Sequence, residues 1–265
     1  MSASTPADRQ RMPAVFIGHG SPMNTLEHNR YTQAWHDFGR SVPKPRAIVA
    51  ISAHWYINAA AVTAMARPQT IHDFYGFPDE LFAYQYPAPG LPEMADEIVE
   101  TVRPIWVGKD IDSWGLDHGT WSVLAHMFPD VDVPVLQLSI DAQKSWADHV
   151  ELGSRLNALR DSGVLFMMTG NLVHNLRRIR WDSPDGAFDW AHEFDLEARR
   201  LMTEDPASIG TLADHEHYPL AAPTPEHFLP LLYLAGMAVA SKTLAEVLVG
   251  GYAFGSLSMT SFTVA

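Results

Sequence analysis

Short runs of apolar, β-branched residues recur along the chain, each bounded by glycine, proline or polar residues. The runs at 13–18 (PAVFIG), 46–52 (RAIVAIS), 61–66, 133–140 (VPVLQLSI) and 164–170 (VLFMMTG) have the length and composition of buried strands. An alternating stretch at 254–264 predicts a terminal strand. Between the runs the apolar period lengthens to that of a helix. Residues 92–103 open with Pro92 and carry carboxylates in their first turns, as helix entries favour. In 142–160, Trp146, Val150, Leu152, Leu156 and Leu159 recur at helical spacing. In 189–203, Trp190, Phe194, Leu196, Leu201 and Met202 lie beside a charged face. A fourth helix is expected over 224–240, with Thr224 as its cap and Pro225 in its first turn. Strands alternating with helices predict an α/β fold whose sheet is covered on both faces. Segment 67–92 has no period and is rich in proline, glycine and aromatics; it is long for a plain connection and predicts a lid or wall.

Composition narrows this picture. The 265 residues are 47% hydrophobic and 18% charged, which excludes long disorder, collagen-like sequence and a coiled coil. No repeat, low-complexity tract or linker divides them. A formal charge of −13 repels phosphate backbones, so no nucleic-acid partner is expected. The absence of cysteine removes disulfide frameworks, thiolate metal sites, iron–sulfur clusters and cysteine nucleophiles together. Residues 1–12 read as a flexible polar arm rather than a signal peptide, leaving 13–265 as one domain. The longest near-apolar stretch, 228–240, contains Pro230 and Gly236 and is too short to span a bilayer. A cytoplasmic protein with no membrane partner is expected.

The 13 histidines carry the candidate chemistry. His19, His54 and His174 each follow a predicted strand closely, and strand carboxyl ends line the ligand crevice of open α/β sheets. His227 lies at the start of the 224–240 helix, and His118 precedes another helical pattern. Gly18, Gly20 and Gly119 flank His19 and His118 and allow close backbone approach to a ligand. His28, His36, His126, His149 and His192 read instead as ordinary hydrogen-bonded residues. His215 and His217 read as a solvated pair in a polar loop, and His72 can line the aromatic wall. Imidazole suits Zn, Fe and Cu. Converging histidines around Zn²⁺ can activate water for hydrolysis; around Fe²⁺ with open positions they can bind substrate beside O₂. A binding protein without turnover is the third possibility.

Seven ordered motifs then bear on the choice: GHGSPMNTLE at 18–27, ISAHW at 51–55, HDFYGFP at 72–78, YPAPG at 86–90, LDHGTW at 116–121, TGNLVHNL at 169–176 and PEHFLPLL at 225–232. From about Pro13 onward the chain resembles the DODA-type extradiol aromatic ring-opening dioxygenases of the class III extradiol superfamily, the protocatechuate 4,5-dioxygenase β-subunit type. The resemblance implies a single α/β domain with a central mixed β-sheet flanked by helices on both faces. It implies O₂-dependent cleavage of a catechol, DOPA- or caffeate-like, beside its two hydroxyls to a ring-opened semialdehyde. It further implies Fe²⁺ for activity, with Zn²⁺ plausible as the bound metal, and His19, His54 and His227 as ligands. His174 takes the place of the family's acid–base histidine, close enough to serve as a fourth ligand. His118 takes that of the histidine contacting the substrate hydroxyl or oxygen, and is the alternative base. A related branch has glutamate as third ligand; here the segment reads Glu226-His227, and His227 is the expected ligand with Glu226 beside it. Phe74, Tyr75, Phe77, Phe82, Tyr84 and Tyr86 fit a wall for a flat ring, with His72, Phe74 and Tyr75 against the substrate. Arg177 and Arg178 can meet a substrate carboxylate. A zinc-dependent hydrolase on the same histidines is the alternative.

Overall fold

The computed structural model describes residues 11–265. Among them twelve strands form: β1 (Ala14–Gly18), β2 (Ala47–Ile57), β3 (Ala61–Thr63), β4 (Gln69–Thr70), β5 (Gly108–Asp110), β6 (Gly115–Leu116), β7 (Val135–Asp141), β8 (Val164–Gly170), β9 (Glu246–Val249), β10 (Tyr252–Ala253), β11 (Leu257–Ser258) and β12 (Ser261–Val264). The α-helices are α1 (Arg30–Ser41), α2 (Asp79–Ala83), α3 (Pro92–Thr101), α4 (His118–Met127), α5 (Trp146–Leu156), α6 (Asp189–Glu204), α7 (Tyr218–Ala221) and α8 (Pro230–Ser241). Eight strands make one sheet in the order β5-β3-β7-β2-β8-β1-β12-β9. Its centre, β7-β2-β8-β1, is parallel, while β12 and β9 extend it antiparallel on one side and β3 pairs antiparallel with β7 on the other. The sheet is therefore mixed.

Strand alternation splits the core in two. Phe16, Val49, Ile51, Phe166 and Met168 point to one face, where α3, α5, α6 and α8 pack. Val15, Ile17, Ile48, Ala50, Leu165 and Met167 point to the other, covered by α1, α4 and the segment around Leu81 and Tyr86. Helices thus cover both faces. No helix among the described residues is long and apolar enough to cross a membrane.

Some expected bounds move. The helix expected over 224–240 begins at Pro230; residues 224–229 form turns closed by Phe228 N–H and Leu229 N–H to the Pro225 carbonyl, at 3.0 and 3.1 Å. Pro230 has no N–H to give Glu226 and its ring would strike that carbonyl, so no α-helix runs through it. The strand expected over 254–264 splits into β11 and β12. β2 continues to Ile57 past a register shift against β7, so His54 lies inside the strand rather than after it. α1, whose buried Tyr31, Trp35 and Phe38 recur at helical spacing, is a helix that was not among those expected. The arm expected over 1–12 lies outside the described residues except for Arg11 and Met12. Both are tied to the domain: Arg11 pairs with Asp161, and Met12 N–H donates to the Arg160 carbonyl at 3.0 Å.

Candidate active site

The parallel strands deliver their carboxyl ends to one edge of the sheet. His19 follows β1, and its N–H donates to the carbonyl of Gly170, the last residue of β8, at 3.1 Å. His54 sits beyond the β2 irregularity. His118 opens α4, whose cap Asp117 accepts from the Thr120 N–H. His174 follows β8, bridged to Leu257, with its N–H on the Ala221 carbonyl at 2.7 Å. The turn holding His227 is pinned by Asn171 N–H to the His227 carbonyl at 2.9 Å. Five histidines thus converge. Ring centroids are 5.1 Å apart for His19–His54, 3.9 Å for His54–His118, 5.1 Å for His54–His227 and 3.5 Å for His174–His227, the last stacked within 5°. A Cβ on Gly119 would lie 2.8 Å from His54 Cδ2 and from Ser52 Oγ, so only glycine lets α4 approach the His54 ring this closely.

The partners behind the rings fix their tautomers. Thr169 Oγ1 donates to the Gly119 carbonyl at 2.7 Å, so it accepts from His19 Nδ1–H at 3.0 Å. Asp73 accepts from His54 Nδ1–H through Oδ2 at 2.9 Å and from His118 Nδ1–H through Oδ1 at 2.8 Å. Glu226 Oε1 accepts from His227 Nδ1–H at 3.1 Å. In each ring the proton faces outward and Nε2 is left with its lone pair. His227 Nε2 is buried without a hydrogen-bond partner among the described residues. His19 Nε2 and His54 Nε2 face each other at 3.2 Å, a distance at which two imidazole lone pairs need a proton or a cation between them. Ligand nitrogens of His19, His54 and His227 lie within 4.8 Å of one another. Three neutral imidazoles with held backs are a donor set suited to a divalent transition metal.

Electrostatics follow from burial. Burial pushes His19 and His227 well below the ordinary imidazole value, helped by neighbouring rings. It also lowers His118, and takes His174 down to about 4. His54 is the exception: burial opposes its charge, but Asp73 and Asp117 outweigh it and raise it. Burial would raise Asp73, yet hydrogen bonds from His118 and His54 hold it well below the usual carboxylate range. Asp117, fully buried, is raised by burial; it accepts from Ser52 Oγ at 2.7 Å and from the Gln137 amide.

The cluster opens into a cavity of about 1050 Å³, lined on one side by Phe74, Tyr75 and Phe77. The rest of the aromatic segment does other work. Tyr84 stacks on Trp121, and buried Tyr86 donates to the Phe128 carbonyl at 2.8 Å. His72, expected against the substrate, is not in the cavity wall: its Nε2–H is engaged by the Tyr84 carbonyl at 2.8 Å. Arg177 and Arg178 are exposed outside the wall, on a turn whose Leu176 lines it. His215 and His217 do not form a chelating pair, because His217 Nε2 meets Glu193 at 2.8 Å and its N–H donates to His215 Nδ1. Sequence reasoning missed Asp73 and Thr169. One signal pointed to Asp73: every imidazole in an all-histidine centre needs an acceptor for its outward proton, and Asp73 is the acid beside His72 in the wall segment.

Known proteins resemble the chain in sequence and in fold. Residues 13–262 match the family model described as the catalytic LigB subunit of aromatic ring-opening dioxygenase. The chain is 47% identical over 258 residues to the 4,5-DOPA dioxygenase extradiol of Escherichia coli (strain K12), covering 96% of this chain and 95% of that protein. It is 34% identical to the Beta vulgaris protein of the same name, covering 93% and 94%. A crystal structure of an Escherichia coli K12 protein described as uncharacterized superposes with a TM-score of 0.84 at 43% identity, covering 96% of this chain and 100% of that one. The chain belongs to the LigB family of aromatic ring-opening dioxygenases and is an extradiol dioxygenase.

Proposed function

We propose that the enzyme opens the ring of a catechol of the DOPA or caffeate kind, with O₂ as co-substrate, at a divalent metal held by His19, His54 and His227. The observation that carries this reading is the buried His227 Nε2, without a partner among the described residues, beside the facing Nε2 atoms of His19 and His54. Fe²⁺ is the metal expected for turnover, and the same nitrogens suit Zn²⁺. Bound Fe²⁺ would supply the redox link between an electron-rich ring and O₂. The chain's own residues do the rest. Phe74, Tyr75 and Phe77 offer apolar faces to a flat ring. His174, kept neutral by burial, is the group that takes a catechol hydroxyl proton and returns it when the ring opens. His118, held by Asp73 through Nδ1, presents Nε2 to a substrate oxygen. Asp73 and Glu226 keep the ligand rings in one tautomer.

The test is oxygen uptake after anaerobic loading with Fe²⁺, across a catechol panel, beside a Zn²⁺-loaded control and the His174→Ala variant. Uptake with a yellow ring-opened product is expected in the iron-loaded wild type alone. His174→Ala should lose about 10²- to 10⁴-fold in kcat, as removal of a general base does, while keeping its iron. Iron-loaded protein that consumes no O₂ with any catechol would overturn the proposal. O₂-independent hydrolysis by the zinc form would replace it.

A further inference from the structure

We infer that Arg30 selects catechols that carry a carboxylate on their side chain, an inference that rests on the ring-opening reading above. The cavity is much larger than a catechol ring, so its wall also meets the substituent. That wall is poor in positive charge. Apart from histidines its ionisable groups include Glu27, Asp73 and Asp185, and the whole chain carries a formal −13. Arg30 is its only lysine or arginine among the described residues.

The guanidinium of Arg30 is held rather than loose. Its Nη2–H donates to Tyr31 Oη at 2.7 Å, and Cζ lies 4.7 Å from the centre of the Tyr31 ring. Tyr31 Oη in turn donates to the Tyr252 carbonyl at 3.1 Å. A Cβ on Gly251 would lie 2.0 Å from Nη2, so the guanidinium lies close against the backbone of this glycine. Arg46, Arg155 and Arg199 each pair with a carboxylate. Arg30 has no such partner among the described residues. Most of its donors are therefore available, in the planar fork that matches a carboxylate. A neutral catechol gains nothing from a cation fixed there, whereas an anionic side chain gains its one favourable charge in an otherwise acidic wall. Arg30 replaces Arg177 and Arg178 in the role expected of them.

The test compares 3-(3,4-dihydroxyphenyl)propionate with its methyl ester, in iron-loaded wild type, Arg30→Gln and Arg30→Lys. Wild type should prefer the acid. Arg30→Gln should cut kcat/KM for the acid about tenfold, through KM, and the acid-to-ester ratio should collapse. Arg30→Lys should restore part of the ratio. An unchanged ratio in Arg30→Gln, or equal losses on both substrates, would overturn the assignment. Calorimetric binding of the same two compounds to zinc-loaded protein reads the ratio without turnover. Failure of ring opening is thereby separated from failure of the Arg30 assignment.

Discussion

Asp73 gives one carboxylate oxygen to His54 and the other to His118, and so fixes which nitrogen of each ring faces the cluster. Asp73→Asn keeps the shape but leaves one acceptor oxygen. Its amide N–H₂ would meet an imidazole N–H, and that ring would shift its proton to Nε2. Zn²⁺ affinity, measured by competition with a chelator, should fall about 10- to 100-fold, with the fold retained. At this scale the sequence was informative where a residue's place in the chain suffices. His19, His118, His174 and His227 stand beside glycines or at element ends, and His54 stands near the end of an apolar run. Asp73 was not legible in the same way. Its role exists only because residues 54 and 118, far apart in the chain, come to either side of it. The same holds for Arg30, whose importance depends on Gly251 and Tyr252 folding against it.

Helix α5 packs on α8, and His149 lies between them, 2% exposed, with Nδ1 3.0 Å from Tyr233 Oη and Nε2 without a partner among the described residues. Burial takes this imidazole down to about 4. Its folded value lies below its unfolded one, so the unfolded chain binds more protons between about pH 6.5 and 4. Stability from this group is complete above about 6.5 and is lost as pH falls toward 4, by about 3 kcal/mol at about 1.4 kcal/mol per pH unit. Urea unfolding at pH 7, 5.5 and 4.5 should show His149→Gln losing less stability than wild type across that range. Equal pH slopes would contradict this. Elements with a clean period, such as α3 and α6, were readable to within two residues. The 224–240 segment misled because Thr224 and Pro225 resemble a helix start, while Pro230 sets the real one. The β2 irregularity falls at residues 52–55, where Ser52 and His54 interrupt the apolar run and the expected strand therefore stopped.

At the scale of the molecule, Arg160 joins the two ends of the sheet's antiparallel corner. Fully buried and without a carboxylate partner among the described residues, it donates to the Met12 carbonyl at 2.7 Å and the Val264 carbonyl at 2.9 Å. Arg160→Met would leave those buried carbonyls unpaired and should cost about 3 kcal/mol in urea unfolding, with KM for a catechol unchanged. Alternating runs foretold an α/β sheet covered on both faces. Strand order was not foretold, since it depends on which crossovers form rather than on any one segment. That order has a consequence for how the chain is made. β1 is flanked by β8, at residues 164–170, and by β12, at residues 261–264. β1 therefore leaves the ribosome long before residues 261–264, and waits for them before both its edges are paired. Until then Ala14–Gly18 is an apolar strand with an unpaired edge, the kind of segment that pairs with other chains. The histidine cluster is drawn from positions 19 to 227, so it too assembles only after most of these residues have been made.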